Sequence, residues 1–253
     1  MGRTRTPVAV SLALLTAVGV TACGGDDGGD DGGTSGKPFK GQNADSIAAK
    51  AVAATKAAPS VRLSGTERQQ GGQSMKVDFH VDRNNACTGT MTSQGVKADV
   101  LRAGTDLYVK GNEDYWRKTF KAQGQSGPKA DKLIGKLKGR WVKVPTADKS
   151  MQGVCDKDRF LAAMDRDKSE REGMTKGATT EIEGREALAL KKRQTGGEEV
   201  TMYVATQGKP YILKAESTGG GKPSSTVFSD YGKKVDARKP AAKDVVDPQK
   251  LSN

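Results

Sequence analysis

The chain has 253 residues, with 42 Lys and Arg against 30 Asp and Glu, a formal charge of +12 and a single histidine. That charge suggests a nucleic-acid partner, but no Arg-rich recognition helix and no cluster of aromatics interleaved with basic residues is present, which excludes the usual surface for one. One imidazole, with no HExxH, GxSxG or phosphate loop, likewise excludes the common nucleophile–base, metal and nucleotide chemistries.

Arg3 and Arg5 open the chain, and Val8 to Val20 is apolar or small, interrupted by Ser11, Thr16 and Gly19. This run of about thirteen residues is too short for a membrane-spanning helix, which needs about 20. With Thr21 and Ala22 after it, residues 1–22 form the tripartite pattern of a secretory signal. Val20-Thr21-Ala22-Cys23 also resembles a bacterial lipobox. The resemblance implies cleavage before Cys23, lipidation of its thiol by a palmitate-type acyl group, and a position on the outer face of the cell membrane.

GGDDGGDDGGTSG follows at 24–36. It has no apolar side chain with which to offset the entropy of ordering, so residues 23–42 read as the lipidated Cys and a flexible tether. Asp26, Asp27, Asp30 and Asp31 disfavour lying flat on an anionic membrane. They lack the ligand spacing and closing Glu of a calcium loop. Without residues 1–22 the chain keeps 40 basic and 30 acidic residues, a net +10. Such an excess attracts anionic lipid or polyanionic wall polymers.

With Cys23 set aside, Cys87 and Cys155 remain. An even pair in an oxidising compartment reads as a disulfide. A metal pair or a catalytic thiol gains no support from a chain with no CxxC and only His80 as imidazole.

Residues 43–60 read as a helix capped by Asp45 or Ser46, with Ile47, Ala51 and Ala54 on one face and Pro59 as its stop. The period then becomes two. SVRLSGTERQQ is a strand, and MKVDFHV alternates Met75, Val77, Phe79 and Val81 against Lys76, Asp78 and His80, the last read as a solvated strand residue. ACTGTMTS, VKADVLRA and TDLYVKG complete a five-stranded meander. NEDYWRKTF reads as a polar stretch with three aromatics. A short helix is expected around 129–138 on Leu133, Ile134 and Leu137, and another from Cys155 on Phe160, Leu161 and Met164. ATTEIEG, REALALKKRQ, EEVTMYVAT, PYILKAEST and SSTVFSDYG are five more strands, and residues 237–253 form a surface tail with Val245, Val246 and Leu251 as docking points. Trp116 and Trp141 read as structural anchors, and DRDKSEREG at 165–173 as a solvated charge run.

Taken together, SVRLSGTERQQGGQSMKVDFHVDRNNACTGT, LYVKGNEDYW, EVTMYVATQGKPYILKAES and FSDYGKKV resemble actinobacterial cell-envelope lipoproteins of the LppX/LprAFG type, whose domain is similar to the LolA and LolB carriers. The resemblance covers roughly residues 43–236. It implies an α+β fold: a strongly curved antiparallel sheet, an unclosed half-barrel of about ten strands, with about three helices on its concave face. It also implies an acyl chain or lipid held between sheet and helices. The wall candidates are Val77, Phe79, Val81, Val100, Leu107, Leu133, Ile134, Leu137, Phe160 and Leu161, residues that an ordinary filled core would use equally.

The expected function is therefore a non-enzymatic, membrane-anchored and monomeric lipoprotein that needs no cofactor or metal and carries a lipid or acyl ligand. The alternative is an envelope protein of the same fold that binds a protein partner or an anionic wall polymer through its basic surface.

Overall fold

A computed structural model describes residues 39–68, 74–145, 151, 153–162, 171–220 and 223–248. Residues 1–38, which hold the secretory signal, Cys23 and most of the tether, lie outside the described residues, as do Met164, Leu251 and the side chain of Phe160. In chain order the elements are α1 (Ala44–Ala57), β1 (Ser60–Arg68), β2 (Ser74–Asp82), β3 (Cys87–Ser93), β4 (Val96–Ala103), β5 (Asp106–Gly111), α2 (Glu113–Ala122), α3 (Pro128–Leu137), β6 (Trp141–Lys143), α4 (Lys157–Ala162), β7 (Thr175–Ile182), β8 (Arg185–Arg193), β9 (Glu199–Ala205), β10 (Ile212–Thr218), β11 (Ser224–Ser229) and β12 (Val245–Val246).

The strands form one unclosed sheet in the order β12-β6-β5-β4-β3-β2-β1-β11-β10-β9-β8-β7. It is an α+β architecture of twelve strands, two more than expected. The additions are β6 and β12, which pair in parallel through Val245 opposite Trp141 and Val246 opposite Val142. Two antiparallel meanders, β1–β5 and β7–β11, meet where β1 pairs with β11 and Leu63 lies opposite Phe228. Register sorts the strand ends onto two rims. The upper rim holds Glu67 opposite Ser224, Met75 opposite Ser93 and Thr218 opposite Glu199. The lower rim holds Ser60 opposite Asp82 and Ala103 opposite Asp106.

Helix α1 starts at the upper rim and covers the second meander, touching β7, β9 and β10, while α2 packs on β4 and β5. The cap of α1 is Asn43, whose side chain accepts from the Ser46 amide at 2.8 Å, rather than Asp45 or Ser46. Asp45 instead accepts from the amides of Gly173 and Met174 at 3.1 and 2.9 Å, tying the helix start to the approach to β7. The helix buries Ala44, Ile47, Ala48, Ala51, Val52 and Thr55. Small side chains on that face bring its backbone close to the sheet.

NEDYWRKTF forms a helix rather than a featureless polar stretch. Asn112 caps α2 by accepting from the Tyr115 amide at 2.9 Å. The helix is hard to see in sequence because its buried side is a single residue, Trp116, flanked by half-buried Tyr115 and Phe120.

The core on the helix side joins Ile47, Val61, Leu63, Phe79, Val81, Val100, Leu107, Ile134 and Leu161, among others. Phe79 lies across Gly89 on the neighbouring strand. A Cβ at Gly89 would come within 2.0 Å of the Asp78 carbonyl and 2.8 Å of the Phe79 ring, so only glycine permits the crossing.

Three long-range ties hold the helices to one another and to the sheet. Cys87 on β3 and Cys155 are joined as a disulfide, both fully buried, with Cα atoms 5.6 Å apart. A loop of this span is worth about 4 kcal/mol on chain-entropy grounds. Lys157 on α4 is buried and donates to the carbonyls of Lys56 and Ala58 at 2.6 and 2.7 Å, satisfying the C-terminal end of α1. Its burial lowers its pKa. Thr55, fully buried on α1, accepts from the Ile212 amide at 3.1 Å where β9 and β10 shift register.

The Thr55 tie is testable. Thr55→Val keeps the shape but leaves the Ile212 N–H buried and unpaired. It is expected to lower stability by about 1–3 kcal/mol, read as a fall in the urea midpoint at unchanged m-value.

Candidate ligand pocket

The pocket forms where the two meanders meet. Leu63 on β1, Val77 on β2 and Phe228 on β11 face Val200 and Met202 on β9 and Ala215 on β10, with Met174 closing the side next to β7. They enclose about 290 Å³. The polar lining residues are Arg171, Gln194, Glu198, Glu216, Ser217, Ser224 and Thr226, with Glu198, Ser217 and Ser224 at the upper rim. Ser217 donates to Glu198 there. The arrangement is an apolar slot with a polar mouth, suited to an alkyl chain bearing a polar end.

Among the described residues, no side chain of α1, α2, α3 or α4 lines this slot. The resemblance implied a site between sheet and helices. The described lining of the slot comes from strands and from the segment entering β7.

Of the residues singled out from sequence, Val77 lines the slot. Phe79, Val81, Val100, Leu107 and Leu161 are fully buried in the common core. Ile134 and Leu137 are buried on the inner side of α3, and Leu133 is half-buried. Leu63, Met174, Val200, Met202, Ala215 and Phe228 were not singled out. The alternation in EEVTMYVAT marks Met202 as facing one side of its strand. Placing it opposite Leu63 and Phe228 requires the β1–β11 register, which no local pattern encodes.

The other polar groupings are structural. On the outer face, Arg62 forks onto Asp78 through two bonds of 2.7 Å, and the guanidinium holds that carboxyl below its usual range. His80, expected to be solvated, is half-buried beside this pair, and burial pushes its pKa down. Its Nε2 is buried with no hydrogen-bond partner. At the lower rim Lys143 and Lys239 flank Asp106 at 2.8 and 3.1 Å and hold its pKa down to about 2, which fastens the chain before β12. On β9, burial and then a bond to Glu216 push Tyr203 up to about 12. Among the described residues no group of three His, Cys, Asp or Glu side chains could hold a metal ion, and no helix is long and apolar enough to cross a membrane.

The chain is similar in structure to the lipoprotein LppX of Mycobacterium tuberculosis, at 13% identity and a TM-score of 0.50, over 77% of this chain and 97% of that one. It is similar to LprF of Mycobacterium bovis at 16% identity and a TM-score of 0.54, over 82% of this chain and all of that one (100%). The chain thus has the fold of LppX and LprF. No protein-family model and no curated protein sequence matches it.

A fluorescent fatty acid such as cis-parinaric acid is expected to bind the slot. Ala215→Trp, which fills it, is expected to weaken binding by about tenfold or more while leaving the far-ultraviolet circular dichroism unchanged. Equal affinity in the variant would place the probe elsewhere.

Proposed function

We propose that this protein is a non-enzymatic envelope lipoprotein, anchored by an acyl group on Cys23 to the outer face of the cell membrane, that carries a lipid by holding one of its acyl chains in the slot. The observation that carries this reading is an apolar space left open in the face of the sheet, lined by Leu63, Val77, Met202, Ala215 and Phe228. A protein core is normally packed without such gaps. At about 290 Å³ the slot sits at the lower end of small-molecule pockets, about 300–1,000 Å³. That size favours a single chain over the whole of a multi-chain lipid, whose headgroup and remaining chains would stay at the polar mouth. The fold shared with the lipoprotein LppX and the lipobox-like residues before Cys23 support the same reading.

Native mass spectrometry of the exported protein, purified without detergent, tests the cargo. A discrete added mass, released by organic solvent and identified as an acyl lipid, is expected for the wild type and is expected to be lost in Ala215→Trp. A bare wild-type mass counts against carriage. The anchor is tested separately. Cys23→Ser is expected to move the protein out of the detergent-soluble membrane fraction and to abolish labelling by an alkyne fatty acid, and retained labelling would overturn the assignment.

A further inference from the structure

The helical hairpin α2–α3 carries charge that neither the core nor the slot uses. Residues 113–140 hold eight Lys and Arg against three Asp and Glu, a net +5 in 28 residues. Two of the acids are already engaged: Glu113 by Arg117 and Lys138, and Asp131 by Arg117. Lys121, Lys129, Lys132 and Lys136 are exposed and have no ion-pair partner among the described residues. On α3 the last three follow the i, i+3, i+7 spacing of one helical face, away from buried Ala130, Ile134 and Leu137.

Strand register places this hairpin. β5 ends at the upper rim, with Gly111 opposite Ala98, so α2 begins there. Lys118 donates to the carbonyl of Gln94 in the β3–β4 turn of the same rim, at 2.6 Å. The polar mouth of the slot, at Glu198, Ser217 and Ser224, opens on this rim. Phe39 and Asp45 lie there as well. Lys176 near the start of β7 reaches the Phe39 carbonyl at 3.3 Å, and Asp45 binds the amides before β7. A cationic hairpin, a pocket mouth and the start of α1 thus share one edge.

We propose that the upper rim docks on a bilayer of anionic phospholipid, with the hairpin lysines as its contact. The complementarity is electrostatic. Lysines near an anionic leaflet are attracted to it within a Debye length, about 8 Å at physiological salt. A soluble polyanion would be served by basic residues anywhere on the surface. Their concentration on the rim that also carries the slot mouth is what selects a membrane. That the docked rim then takes up or delivers an acyl chain rests on the proposed function; the docking itself does not.

The test uses the mature chain from Gly24, which keeps every described residue and lacks the acylation site. It is co-sedimented with vesicles of phosphatidylcholine alone, or with about one-third phosphatidylglycerol. Pelleting is expected with the anionic vesicles only, and is expected to disappear as salt rises to about 0.5 M. Replacing Lys121, Lys129, Lys132 and Lys136 by Glu is expected to weaken it by about tenfold or more. The same charge change at exposed Arg83, Arg185, Lys209 and Lys234, in the lower-rim turns and the segment after β11, is expected to leave it within about twofold. An equal loss in both variants, equal pelleting with neutral vesicles, or binding to a purified wall polyanion without vesicle binding would overturn the proposal. Native mass spectra of the same samples separate the two readings. Docking lost with the acyl load unchanged assigns the lysines to the membrane, and docking retained by a protein without acyl load overturns carriage alone.

Discussion

The structure depends on one pairing, that of β1 with β11. Each meander is built from neighbours in sequence and exposes an apolar face that five strands cannot bury by themselves. The β1–β11 ladder brings together residues more than 150 positions apart, from Arg62 opposite Ser229 to Glu67 opposite Ser224. It makes one continuous sheet and sets which side chains of the two meanders stand side by side. Helix α1 reinforces this join. It leads directly into β1, and its Thr55 fastens it to the start of β10 in the other meander.

That join also explains where the open space lies. Under α1 the alanines on its inner face allow close approach, and the core closes over Ile47 and Val52. Beyond the reach of α1, the inner face is lined by Leu63, Val77, Met202 and Phe228, and no described helix residue lines that part of it. Small Ala215 and the short side chains of Ser217, Ser224 and Thr226 keep that region unfilled. The low apolar fraction of the chain, 34%, therefore corresponds to a core that is well packed near the disulfide and open near the upper rim.

Much of the fold was legible in the sequence because it is local. Alternation marks ten of the twelve strands, Gly-containing turns separate them, and counting cysteines pairs Cys87 with Cys155. What was not legible depends on tertiary context. Strand β6 has three residues and β12 two, too short for a period to register. Helix α2 was hidden because Trp116 is its one fully buried residue, too few for an apolar stripe to register. The cap of α1 was displaced to Asn43 because Asp45 is drawn to amides 128 and 129 positions away. His80 alternates as an outward residue should, yet it is half-buried, since Asp230 and Lys233 arrive beside it from the far end of the chain. The slot was legible only through Val77, because its other apolar walls are brought together by the seam.

The charge of the molecule divides along the same lines as its fold. Many cations on the sheet are committed to neighbouring carboxylates: Arg62 to Asp78, Lys143 and Lys239 to Asp106, Lys191 to Glu199 and Lys214 to Glu216. Exposed pairs of this kind add little stability, about 0–1 kcal/mol each, but they cancel charge locally and leave little field at a distance. The hairpin differs in having more cations than its three acids can pair. Its lysines are not needed to hold α3 in place, since Ala130, Ile134 and Leu137 bury the inner side of that helix. The pocket does not need them either, because none of the four lines it. A concentration of unpaired charge raises self-repulsion, so its position at the edge that also carries the slot mouth is best understood as a requirement of what the molecule meets there.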